Sequence, residues 1–65
     1  MEVCFYYKGH RILAEIFNIE KTDKYIDYFT GRFFVCRNEK RKSIYPTMCQ
    51  EIRFMKSIDK VLQGV

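Results

Sequence analysis

TMCQEIRFMKSIDKVLQG, residues 47–64, is the stretch whose reading decides the fold. Pro46 closes the extended run before it, because proline has no N–H to give to a strand ladder. Thr47 is an N-cap residue, and Gln50 stands at the capping-box spacing behind it. Met48, Ile52, Met55, Ile58 and Leu62 recur at steps of three and four, and Phe54 and Val61 widen that stripe. The polar side carries Glu51, Arg53, Lys56, Asp59, Lys60 and Gln63. Lys60 suits the carbonyl end of the helix dipole, and Gly64 is expected to close the helix in a left-handed conformation. So wide an apolar stripe predicts a helix laid across a sheet as core.

The sheet is read from the rest of the chain. Glu2–Lys8 has strand character, and Lys8-Gly9 is a two-residue hairpin turn. Tyr7 then faces His10, Phe5 faces Ile12 and Val3 faces Ala14, all on one face with Ile16. The other face takes Cys4, Tyr6, Arg11, Leu13, Glu15 and Phe17. Residues 18–24, NIEKTDK, read as a polar loop. A strand resumes over 24–29, Thr30-Gly31 reads as a turn, and RFFVCR (32–37) is the strongest strand signal. Asn38-Glu39-Lys40-Arg41 reads as a four-residue loop, which pairs Val35 with Ile44 and Phe34 with Tyr45. Phe33, Val35 and Ile44 then point inward, and Phe34, Cys36 and Tyr45 outward. The fold class expected is α+β: an antiparallel sheet of four to five strands in two hairpins, with one C-terminal helix packed on a face. Residues 1–65 form one small domain.

Composition bounds what such a domain does. Apolar residues make up 48% of the chain, with six Phe and five Tyr, so it is built to fold. Eleven rings are many for this size to hide, which points to a partner surface or a homodimer. The net charge is +4. Residues 1–35 are balanced. Residues 36–65 hold seven bases against three acids, densest at 37–42. Such a cluster meets phosphate or an acidic protein surface; its bland alternative is a solvated turn. Cys4, Cys36 and Cys49 are odd in number and have no CxxC spacing. With no signal-like segment at the start, they read as reduced thiols of a cytoplasmic protein. No run is long enough for a membrane span.

Catalysis finds no support. His10 is the lone histidine and sits at a turn. The Cys and His positions do not give zinc spacing, and three glycines do not make a phosphate loop. A non-enzyme with no cofactor and no metal is expected.

Two resemblances bear on binding. The run GRFFVCRNEKRKSIYPT before a helix resembles the small three-stranded DNA-binding domains of tyrosine-recombinase arm-binding regions and plant ethylene-response factors. Gly31, the aromatic-plus-Val strand, the basic hairpin Lys40–Lys42 and Thr47 carry it; Gln50-Glu51-Ile52 stands where that pattern has a Glu-Ala pair. It implies nucleic-acid contact through Arg37, Lys40, Arg41 and Lys42. Nearly the whole chain resembles short proteins of bacteriophages and mobile elements, on Tyr7-Lys8-Gly9-His10-Arg11-Ile12, Tyr45-Pro46-Thr47 and Ile58-Asp59-Lys60. That resemblance implies a small inhibitor or anti-defence protein that covers a host protein or nucleoprotein complex. The sheet face away from the helix, as read from the strand pattern, offers Tyr6, Phe34, Tyr45 and Arg32 as the contact residues of such a protein. A blander alternative is a dimeric scaffold.

Overall fold

The computed structural model describes residues 1–22 and 25–64, with side chains for 1–20 and 29–64. The order is β1 (Glu2–Tyr7), β2 (His10–Thr22), β3 (Tyr25–Arg37), β4 (Lys40–Ile44) and α1 (Met48–Gln63). The four strands form one antiparallel sheet in the order β1-β2-β3-β4, and α1 packs on one face of it. The expected α+β architecture is present.

The first hairpin has the expected register. Tyr7 pairs with His10, Phe5 with Ile12 and Val3 with Ala14. Lys8 and Gly9 both have positive φ, 50° and 80°, the backbone of a two-residue turn whose twist matches the strands. Beyond Glu2 the pairing goes on to Met1: the Ile16 N–H donates to the Met1 carbonyl at 2.7 Å, and the Met1 ammonium donates to the Ile16 carbonyl at 2.9 Å.

Two expectations in the middle of the chain are corrected. Asn18–Thr22 belongs to β2 rather than to a loop; residues 23 and 24 lie outside the described residues. Thr30-Gly31 is no turn, because β3 runs straight through it. Gly31 instead lies opposite Ile16, where the register slips and leaves Phe17 unpaired as a bulge. A Cβ built on Gly31 would come within 2.4 Å of the Glu15 carbonyl oxygen, so the glycine is there for clearance. The bulge also restores the pattern: Ile16 and then Ile19 both face the core despite being three apart.

The second expected loop is shorter than the sequence suggests. Arg37 pairs with Lys40, so only Asn38 and Glu39 form the turn, with φ of 49° and 65°. Phe33 therefore pairs with Ile44, and Val35 with Lys42. The slip is two residues, an even number, so Phe33, Val35 and Ile44 keep the inward face.

The N-terminal cap of the helix is as expected. The Gln50 N–H donates to Thr47 Oγ1 at 3.3 Å, and the Thr47 N–H donates to Gln50 Oε1 at 3.0 Å. Gly64 closes the helix with φ −80°, not in the left-handed region, and its N–H donates to the Lys60 carbonyl. The buried stripe is also rotated from the expected one. Phe54, Ile58 and Asp59 are buried and Leu62 packs against the core, while Met48, Ile52 and Val61 are exposed. Phe54 causes the rotation. Its ring sits 5.3 Å from Phe5, 5.0 Å from Tyr7 and 5.0 Å from Phe33, tilted or edge-on to each. Such contacts add to the area that the ring buries, so the helix turns to seat Phe54 rather than its thinner aliphatic neighbours. Asp59, expected on the polar side, is carried inward by the same turn. Its Oδ2 accepts from Gln63 Nε2 at 3.1 Å, and its Oδ1 has no hydrogen-bond partner among the described residues.

This ring cluster sets a clear stability contrast. Phe54→Ala should cost about 3–5 kcal/mol by urea denaturation, most of the stability that a domain of this size has. Ile52→Ala, on the same helix but exposed, should stay within about 0.5 kcal/mol of the parent.

Candidate functional site

The helix does not cover the whole inner face. It packs on β1 and β3, and its backbone stands farther off from that of β4. Between α1 and β4 lies a groove of about 1060 Å³. Its floor is apolar: Ile12, Val35, Ile44 and Phe54. Its rim is cationic: Lys8, Arg37, Lys40 and Lys42, with His10 among them. Among the described residues none of its walls is acidic.

Register explains why these side chains meet. On the inner face Phe5, Ile12, Val35 and Lys42 follow one another across the four strands, and Val3, Ala14, Phe33 and Ile44 do the same one step along. The step at the turn end holds the pairs Tyr7–His10 and Arg37–Lys40. An Arg37 Nη2 donor 3.0 Å from His10 Nδ1 ties those two pairs together. Arginine only donates, so in this contact Nδ1 is the acceptor. Arg53 Nη1 donates to the Tyr7 hydroxyl at 3.3 Å and marks the helix side of the groove. Lys8 Nζ lies 5.5 Å from the centre of the Tyr7 ring, within cation–π range.

The residues singled out from sequence divide between the two faces. Arg37, Lys40 and Lys42 come together on the groove. Arg41 borders it, but its guanidinium lies 5.8 Å from the Phe34 ring centre and 3.9 Å from Glu2 Oε1. Both partners of that ion pair are about half exposed, so it adds little to stability. Tyr45 is 92% exposed and lines the groove as well as a second hollow of about 500 Å³, which Arg32 also borders. Tyr6 is 75% exposed. Phe34 is half-buried and pairs with Leu13.

The outer face therefore has a small cluster of its own. Leu13 is buried there, although no helix covers it. Cys4 and Phe34 flank it across the strands. Arg11 reaches back toward Cys4 Sγ at 4.0 Å. The contact with the Cys4 thiol, and then Cys36 and Tyr6 nearby, raises the Arg11 pKa above its ordinary value, so Arg11 is always a cation. Arg32 lies 5.6 Å from the Phe17 ring centre. Cys4, Cys36 and Cys49 are free thiols.

Tyr7, Lys8 and His10 as groove walls escaped the sequence reading. The signal was present in the first hairpin, whose register puts His10 on the inner face; its neighbour Arg37 could be placed only once the second turn was known to be two residues long. Among the described residues no group of three or more His, Cys, Asp or Glu is placed to hold a metal ion, and no helix is long and apolar enough to cross a membrane.

No family model, no curated protein and no solved structure matches the chain.

The turn that aligns Lys40 with Arg37 holds a glutamate in the left-handed region, which is unfavourable by about 1–2 kcal/mol for a residue with a Cβ. Glu39→Gly should raise the unfolding free energy by about 0.5–1 kcal/mol, since glycine gives back part of that gain as backbone entropy. Matched denaturation curves of the two proteins measure it.

Proposed function

We propose that this chain is a non-catalytic binding domain that covers an acidic, partly apolar patch on another protein with the groove between β4 and α1. The observation that carries this reading is the pairing of a single-sign rim with an aliphatic floor. Lys40 and Lys42 stand on an edge strand with no acid beside them in the groove, while Ile12, Val35 and Ile44 lie below. A carboxylate-bearing segment with apolar side chains satisfies both parts at once. A single nucleic-acid strand would use the cations but wants ring faces to stack on, and the floor offers mostly branched aliphatic side chains. Tyr45 and His10 are exposed rings at the site, and they are what favours the competing nucleic-acid reading.

Set beside the resemblance to small bacteriophage proteins, this reading gives a host protein in the cytoplasm as the partner and steric cover as the mode of action. Tyr45 would anchor at the groove, and Tyr6 and Arg32 would extend the contact around the sheet. Charge complementarity of this kind supplies orientation and on-rate, and the buried floor supplies residence time.

A capped peptide of alternating Glu and Val, compared with an oligo-dT strand of equal charge, tests the assignment by fluorescence anisotropy. The peptide should bind more tightly, and the double variant Lys40→Glu, Lys42→Glu should weaken it about tenfold or more. Tighter binding of the oligonucleotide, with a steep loss on adding salt, would move the assignment to nucleic acid.

A further inference from the structure

We infer that β4 is a docking edge: an extended acidic segment of the partner adds to it as a fifth strand and closes the groove. This rests on the reading of the groove as an acidic-protein site and specifies how the partner is held.

β4 ends the sheet and pairs only with β3. Four of its five residues are exposed and Ile44 is half-buried. In a two-residue hairpin the pair next to the turn exchanges both backbone hydrogen bonds, and bonded and non-bonded pairs then alternate. The Arg37–Lys40 pair is therefore bonded, as are Val35–Lys42 and Phe33–Ile44. It follows that Arg41 and Ser43 turn their N–H and C=O groups away from the sheet, toward an absent neighbour. A peptide strand offers the matching alternation of acceptors and donors; a phosphodiester chain does not.

The side chains then choose among strands. Lys40 and Lys42 lie on the groove face and Arg41 on the outer face, so both faces of the edge are cationic. Opposite charges across a strand pair are favourable, and like charges facing one another are not. A second copy would set Lys40, Arg41 and Lys42 against themselves, so this edge rejects self-pairing. Cations on an edge strand are also a common guard against aggregation. Here, however, the same edge bounds a floor on which Val35 and Ile44 are only partly covered. A fifth strand would place every second side chain beside Ile44 and toward α1, whose backbone does not approach that of β4.

The test uses the full chain and the capped Glu-Val peptide. Hydrogen exchange followed by NMR should show the Arg41 and Ser43 amides becoming protected when the peptide binds, while the Lys42 amide is protected already. Two N-methylated versions of the peptide, blocked at alternate residues, should differ: one set of N-methyl groups faces β4 and should cost about tenfold in affinity or more, and the other should cost little. Ser43→Pro removes an outward N–H without touching the ladder to β3 and should weaken binding similarly, with the thermal melt reporting that the fold survives. A Lys-Val peptide should not bind. If the Glu-Val peptide binds and is lost on Lys40→Glu, Lys42→Glu, yet Arg41 and Ser43 stay unprotected or the two methylated peptides bind alike, strand addition is overturned and the groove reading stands. If the Glu-Val peptide does not bind at all, both fall.

Discussion

The seating of Phe54 among Phe5, Tyr7 and Phe33 is the contact on which the rest of the molecule depends. A chain of 65 residues has a small core, and among the described residues Ile58, Ala14 and Phe54 are its most deeply buried side chains. Phe5 and Tyr7 are brought to Phe54 by β1, and Phe33 by β3, so one ring ties together the two strands that flank β2. Area buried by aromatic side chains, with their edge-to-face preference, outweighs the thinner stripe that Met48 and Ile52 would have supplied. The helix therefore rotates and leaves those two in solvent.

That rotation also decides where the molecule is open. A helix centred on β1 and β3 cannot also cover β4, and the inner face beyond Val35 is left with Ile44 and Lys42 uncovered. The turn at Asn38-Glu39 then puts Arg37 and Lys40 side by side at the mouth of that opening. Lys8 is far in sequence from Arg37, Lys40 and Lys42, and strand register brings all four to the rim of one hollow. The outer face had seemed the freer surface, with its rings and charges. It proves partly closed on itself, since Leu13 is buried beneath its neighbours and Arg41 lies over Phe34. The groove, rather than that face, is where apolar floor and single-sign charge coincide.

Much of this was readable from residue order. The Thr47–Gln50 capping box, the Lys8-Gly9 turn and the inward set of the first hairpin follow from local chemistry, which acts over three or four residues. What escaped depends on distant parts. Gly31 reads as a turn residue until Glu15 is seen to lie against it; its smallness serves a neighbour fifteen or so positions away in a strand that bulges. Glu39 argues locally against a left-handed position and for a longer loop, yet Asn38 and Glu39 both take positive φ and Phe33 pairs with Ile44. The direction in which the helix faces cannot be read from a stripe of seven apolar residues spread so widely; it is settled by which of them finds three rings waiting.

The most direct test of this account is a nuclear Overhauser spectrum of the aromatic and methyl protons. Phe54 should show strong cross-peaks to Phe5, Tyr7 and Phe33, with none from α1 to Lys40 or Lys42. Cross-peaks from Met48 or Ile52 to the sheet, or from α1 to the side chains of Lys40 and Lys42, would contradict it, because the groove would then be filled by the protein's own helix.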